Sequence, residues 1–406
     1  MGDLSISHIM SLSLRSSFLR YVGQTSPEPD GFEVSHGEGI YLFDREGNRF
    51  IDCISGIAVS SMGHRHPRIN AAIKTQLDLH LHTMVYGEHV QVAQVALAEK
   101  LASLLPEKLS STFFTNSGTE AVEGALKLAK KYTSRYEIIA CRDAYHGSTA
   151  GAESLRSDLS HTAGARPLVP GIGHIRFNAF EDIDLISEQT AAVIIEPVQG
   201  EAGAITPTPG YLQAVRKRCD QTGTLLIFDE IQTGMGRTGT MWAFEHEDVI
   251  PDILLLAKAF GGGLPLGAFI SSPAMMSVLS HDPILGHLST FGGHPLSCAA
   301  SMEAIHITIE NQLPEKAVAF EKIIRTKLEQ HTALECISGR GLMLALQLRD
   351  QDKLMPAVKA CRRQGLLVDW FLFNNRAIRL APPLIICEEE VNMVCEKLKI
   401  ALDTIF

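Results

Sequence analysis

Leu225-Leu226-Ile227-Phe228-Asp229-Glu230 and Ile253-Leu254-Leu255-Leu256-Ala257-Lys258 decide how this chain is read. Each is a short, continuous apolar run ending on a charged residue. Such runs, bounded by turn residues, are central strands of a parallel sheet, and open α/β folds bind ligands beyond the carboxyl ends of those strands. A lysine and a carboxylate therefore face one crevice. A lysine there can form a Schiff base with an aldehyde, and a carboxylate can keep a pyridinium nitrogen protonated; pyridoxal phosphate chemistry needs both groups. Alone, the pair means little, because a Lys after a strand is ordinarily solvated and an Asp after one is ordinarily a helix cap.

Working outward, Ser111 to Thr115, Glu137 to Cys141, Ala192 to Ile195 and Gly267 to Ser271 complete a set of strands. Helical spacing of apolar residues predicts a helix from about Gly118 to Tyr132, and another from Pro209 to near Gly223, with Pro in its first turn and Gly past its end. The block from Pro67 to Ala300 thus repeats strand, turn and helix, as expected of a right-handed βαβ sheet. Before it, residues 39–52 alternate apolar and polar around Glu46-Gly47-Asn48 and read as a β-hairpin. After it, a long helical stretch, Gly341 to Leu348 and a last helix from Glu388 suggest a smaller α+β part. The expected division is 1–60, an N-terminal segment whose hairpin joins the small domain; 61–300, the large domain; and 301–406, the C-terminal small domain.

Composition bounds the function. The chain has 406 residues, 45% hydrophobic and 20% charged, enough for one or two domains with an ample core. Its formal charge of −10 and lack of Lys/Arg clusters disfavour a nucleic-acid or anionic-membrane partner. The eight cysteines are scattered without a C-x-x-C pair, which points to reduced thiols and not to a disulfide framework or zinc knuckle. Met1 to Tyr21 has no continuous apolar core and no later stretch reaches membrane-spanning length, so a cytoplasmic protein is expected.

Phe113-Phe114-Thr115-Asn116-Ser117-Gly118-Thr119-Glu120 runs from a strand straight into a helix. Its Ser, Gly and Thr sit where unpaired backbone N–H groups point outward, an anion site unless they merely cap the helix. Tyr145 follows another strand and can stack on a flat heteroaromatic ring or simply pack. Neither G-x-x-x-x-G-K-[ST] nor a strand-borne G-x-G-x-x-G occurs, so a nicotinamide oxidoreductase lacks its fingerprint. His64 and His66 have the spacing of a metal pair without a third ligand, and are expected to be solvated or capping.

Over nearly its whole length the chain resembles the class III aminotransferases, pyridoxal-phosphate enzymes of fold type I. The colinear segments are 63–67 (GHRHP), 116–121 (NSGTEA), 145–147 (YHG), 196–201 (EPVQGE), 228–234 (FDEIQTG), 257–258 (AK), 289–295 (STFGGHP) and 379–384 (RLAPPL). The resemblance implies a mostly parallel seven-stranded sheet in a large domain with a smaller α+β domain built from both termini. It implies pyridoxal 5'-phosphate as cofactor, with Lys258 as Schiff-base lysine and proton shuttle and Asp229 on the pyridine nitrogen. Tyr145 and Ile231 would flank the ring, and Gln232 would bond its phenolic oxygen. Ser117, Gly118 and Thr119 would hold the phosphate, and His146 and Glu196 fall in the cofactor-binding segments. Thr290 would reach the phosphate of the neighbouring subunit, which implies a homodimer with shared sites.

Two features bear on the substrate. Glu201 and Arg379 match a pair in the ornithine, acetylornithine and 4-aminobutyrate branch, where the arginine takes an α-carboxylate and the glutamate masks it. Position 148, by contrast, is Ser where that branch usually carries an arginine, and Tyr145-His146-Gly147-Ser148-Thr149 looks like the amine:pyruvate transaminases. Arg142 and Arg156 are candidates to replace the missing cation. The expected reaction moves an amino group from a terminal-amine donor (ω-amino acid, acetylornithine-like compound or diamine) to a 2-oxo acid such as 2-oxoglutarate or pyruvate. An aminomutase, a decarboxylase or a non-catalytic cofactor-binding module are the alternatives.

Overall fold

The computed structural model describes residues 13–406; of the N-terminal segment read above, residues 1–12 lie outside them. Near the start, β1 (His36–Glu38), β2 (Tyr41–Phe43) and β3 (Arg49–Asp52) form an antiparallel meander. The β2–β3 turn is closed by Asp44, whose carboxylate accepts N–H groups of Glu46 at 3.0 Å and Asn48 at 2.8 Å. This is the hairpin expected from the sequence.

The central sheet holds β4 (Ser111–Thr115), β5 (Glu137–Cys141), β6 (Ile172–Ile175), β7 (Thr190–Ile195), β8 (Leu225–Asp229), β9 (Ile253–Leu256) and β10 (Gly267–Ser271). Their spatial order is β4-β10-β9-β8-β7-β5-β6. Neighbours from β9 to β6 run parallel, while β10 is antiparallel to both β9 and β4, so the sheet is the mostly parallel, seven-stranded one expected, with one antiparallel strand. The deciding runs are continuous because both faces of the sheet are covered. Leu226, Phe228, Leu254 and Leu256 enter one buried cluster, and Leu225, Ile227, Ile253 and Leu255 enter another on the opposite side. Burying each such side chain contributes about 1.5–3 kcal/mol.

Helix Gly118–Thr133 lays Ala121, Val122, Ala125, Leu128 and Ala129 against the sheet and ends at left-handed Ser134. The helix expected from Pro209 instead runs Tyr211–Thr222, capped by Gly210 and Gly223, both at positive φ. Pro209 lies outside because only glycine tolerates the φ of 85° at that N-cap without strain. The helical stretch near Ala300 is two helices, Pro295–Glu310 and Leu313–Leu328, broken at Gln312 (φ 52°).

Past them lie β11 (Leu334–Arg340), β12 (Met343–Leu348), β13 (Leu366–Leu367) and β14 (Ala377–Leu380), before a final helix Glu388–Asp403. β11, β12 and β14 form an antiparallel sheet, and β13 pairs in parallel with β3, tying the N-terminal meander to the C-terminal part of the chain. Among the described residues no helix is long and apolar enough to cross a membrane. All eight cysteines are unpaired.

Candidate active site

β8 and β9 are parallel neighbours with Asp229 opposite Leu255, so Asp229 and Lys258 leave the same sheet edge. Lys258 has φ 50°, a left-handed conformation that costs a β-carbon-bearing residue about 1 kcal/mol or more. Both side chains line one cavity of about 640 Å³, together with Ser117, Thr119, Tyr145 and Glu201. Burial lowers the Lys258 ammonium pKa, while the Glu201 and Asp229 charges oppose the shift and Arg379 adds to it. A larger share of neutral, nucleophilic amine follows.

Asp229 is held from two sides. Its Oδ2 lies 2.7 Å from Nδ1 of the buried His146, and its Oδ1 accepts the Ile231 N–H at 3.0 Å. Burial alone would depress the His146 pKa, yet the hydrogen bond and charge of Asp229, aided by Glu196, leave it raised. Glu196 accepts the N–H of Tyr145 at 2.9 Å and of Gly200 at 2.5 Å, and burial foremost pushes its carboxyl up to about 7. Asp229 thus faces the cavity with the His146 imidazole behind it. Ile231, Gln232 and Tyr145 line the cavity around it.

At the far end, Ser117 caps the helix Gly118–Thr133 by accepting the Glu120 N–H at 3.3 Å. The amides of Gly118 and Thr119 have no intrahelical acceptor and carry the positive end of the helix dipole. Thr119 Oγ1 and Thr149 Oγ1 are 2.7 Å apart. Gly147, at φ 131°, permits this closeness, since a Cβ there would sit 2.2 Å from Thr119 Oγ1. One cavity therefore offers an amine nucleophile, a carboxylate for a ring nitrogen and a helix terminus for a phosphate, which is what pyridoxal 5'-phosphate requires.

Beside the cavity, Arg379 in β14 donates from Nη2 to both Glu201 oxygens at 2.9 and 2.8 Å and to Trp370 O at 3.0 Å. Both side chains are buried, and the Phe371 ring stacks 4.5 Å from the guanidinium carbon. Asp369 approaches Arg379 Nε at 3.0 Å, and burial foremost pushes its carboxyl up to about 6. Ser148 is exposed, 3.3 Å from the Tyr145 hydroxyl. Of the two replacement cations considered, Arg142 is exposed and does not line the cavity. Arg156 is buried against the Tyr145 and Phe373 rings, 5.7 and 5.4 Å from their centroids, and pairs with Glu153 and Asp158.

The cavity thus brings together Lys258, Asp229, Ser117, Gly118, Thr119, Tyr145, His146, Glu196, Glu201, Ile231 and Gln232, with Arg379 gripping Glu201. Thr290 is not among them: it is exposed, in a separate recess with Ser289 and Phe291. His64 pairs with Asp52 at 2.9 Å, and His66 occupies the N-cap of helix Pro67–Leu79. Sequence reasoning missed Asp369 and Thr149. Asp369 does carry a signal, because it closes the apolar run Leu366-Leu367-Val368 as Asp229 closes its own.

The family model described as aminotransferase class-III matches residues 23–402, and the chain belongs to that family. It is a transaminase that uses pyridoxal 5'-phosphate to carry an amino group from an amine donor to a 2-oxo acid. Among solved structures it is similar to the ornithine aminotransferase of Toxoplasma gondii, with 30% identity over 98% of this chain and 97% of that one and a TM-score of 0.90. It is likewise similar to an amine transaminase from an uncultivated Pseudomonas species (28% identity, 95% and 98% covered, TM-score 0.86). An (S)-enantioselective omega-transaminase from Thermomicrobium roseum also matches (26% identity, all of both chains, TM-score 0.88).

Proposed function

We propose that the amine donor carries a terminal primary amine, as an ω-amino acid, an acetylornithine-like compound or a diamine does, and that 2-oxoglutarate or pyruvate accepts the group. The observation that carries this reading is the buried Glu201–Arg379 pair beside Ser148. A guanidinium fork already holding a carboxylate is closed to an α-carboxylate until Glu201 withdraws, so a donor whose reacting end lacks one suits the resting site. Similarity to an ornithine aminotransferase and an omega-transaminase supports it, ornithine itself ending in a primary amine.

The cofactor, when bound, supplies an aldehyde and an electron-withdrawing ring. Lys258 Nζ is the attachment point for that aldehyde and the base that takes the proton from the substrate carbon bearing the amine. Asp229, hydrogen-bonded to His146 and to the Ile231 amide, would hold the ring nitrogen. Ser117, Gly118 and Thr119 hold the phosphate, Tyr145 and Ile231 flank the ring, Gln232 meets its phenolic oxygen, and Glu196 fixes Tyr145 through its amide. Thr290, exposed and outside the cavity, suits a homodimer in which it reaches the neighbouring phosphate. The division at 1–60, 61–300 and 301–406 draws support from the β3–β13 pairing, which links the two ends of the chain. A cytoplasmic setting accords with eight scattered cysteines.

A donor panel tests the substrate reading. The pyridoxal form is mixed with ω-amino acids, diamines and α-amino acids, and loss of the cofactor's visible absorption is followed. Bleaching by terminal amines is expected; bleaching by α-amino acids alone overturns the reading.

A further inference from the structure

Arg379 faces more negative charge than one carboxylate supplies. Glu201 takes Nη2 through both oxygens, and Asp369 Oδ1 stands 3.0 Å from Nε on another edge of the same guanidinium. The two contacts differ in kind. The Glu201 contact is a directed hydrogen bond, whereas Asp369 Oδ1 and Arg379 Nε are both buried and neither makes an aligned hydrogen bond. Asp369 is therefore a charge beside Arg379 and does little to aim it. Its place is set by the backbone, since Arg379 N donates to Asp369 O at 2.8 Å, and the Phe371 ring covers the guanidinium.

We propose that Asp369 is a second mask on Arg379, a specificity-determining residue that opposes binding of a substrate α-carboxylate alongside Glu201. With two carboxylates against it the guanidinium is over-neutralised, and even after Glu201 has swung away an incoming carboxylate meets an Arg379 whose charge Asp369 already offsets. Arg156, the other buried arginine near the cavity, is likewise held by two acids, Glu153 and Asp158. Arg379 and Arg156 are thus both offset by acids, which weights the site toward donors lacking an α-carboxylate and makes the oxo acid the harder partner to bind. This inference rests on the reading of Arg379 as the carboxylate-binding residue.

The test uses the acceptor half-reaction, which does not depend on the donor. Enzyme loaded with pyridoxamine 5'-phosphate is mixed with pyruvate or 2-oxoglutarate, in the parent and in Asp369→Asn and Asp369→Glu. Asp369→Asn keeps the shape and removes the charge, and should lower the KM for both oxo acids about tenfold, the scale of one charged contact, with a much smaller change in kcat. Asp369→Glu, which keeps the charge, should hold KM near the parent value. A KM unchanged or raised in Asp369→Asn, or KM and kcat falling together, overturns the proposal. If Asp369→Asn does not fold, Asp369→Ser is read by the same criteria. Failure of the terminal-amine reading shows instead in the donor panel, with the parent enzyme alone.

Discussion

Glu201→Gln bears most directly on how the site chooses its substrates. In the parent, Arg379 Nη2 donates to the two Glu201 oxygens at 2.9 and 2.8 Å, and the Leu372 N–H reaches Oε2 at 3.1 Å. Glutamine keeps the volume and one acceptor oxygen but loses the charge. Hydrogen bonds to charged groups contribute about 1.5–3 kcal/mol, against about 0.5–1.5 for neutral ones, so the mask weakens by about 1–2 kcal/mol. At about 1.4 kcal/mol per factor of ten, unmasked Arg379 becomes roughly 5–30 times more populated. Glutamate needs that state and a diamine does not, so the kcat/KM ratio of glutamate to 1,5-diaminopentane should rise by the same factor, carried by the KM for glutamate. Stopped-flow loss of the cofactor's visible absorption, over a series of donor concentrations, reads both numbers. A ratio within twofold of the parent would refute the masking role. Because both side chains are buried, Tm should fall by a few degrees, and recording it separates a folding defect from a change in selectivity.

Two further outcomes are expected. Lys258→Ala should retain the fold and bind the cofactor without covalent attachment, losing its imine absorption and at least about 100-fold in turnover, the low end of what a positioned general base contributes; wild-type turnover in this variant would remove Lys258 from the chemistry. Thr290→Ala should weaken cofactor binding by about 10-fold or more, the effect of one hydrogen bond to a charged phosphate. Absorbance titration of the apoenzyme reads it, and an unchanged Kd would exclude a contact across subunits.

Legibility in the sequence followed burial. β8 and β9 were plain because both faces of the sheet are covered, which forces unbroken apolar runs with turns at each end. β6 was missed because Ile172-Gly173-His174-Ile175 interleaves two apolar residues with a glycine and a histidine at the sheet edge. β14 was missed because its centre is the buried arginine, and β13 because it is two residues long. The start of helix Tyr211–Thr222 was misplaced because Pro209 is a normal first-turn residue, and only the left-handed Gly210 shows that the chain has not yet entered the helix.

Lys258 and Asp229 were determined by sequence to the extent that each ends an apolar run and must emerge at a strand's carboxyl end. The phosphate cradle was equally local, since a strand running into a Ser-capped helix needs no distant partner to make an anion site. Tertiary structure alone made β8 and β9 neighbours, and so put lysine and aspartate on one edge. It also delivered His146 to Asp229 from 83 residues away, and Arg379 to Glu201 across 178. Asp369 depends on it most: its charge matters only because β14 hydrogen-bonds beside it and turns Arg379 between two carboxylates. Backbone patterns record which face of a strand is buried, but the pairing of charges across a fold is set by which strands meet.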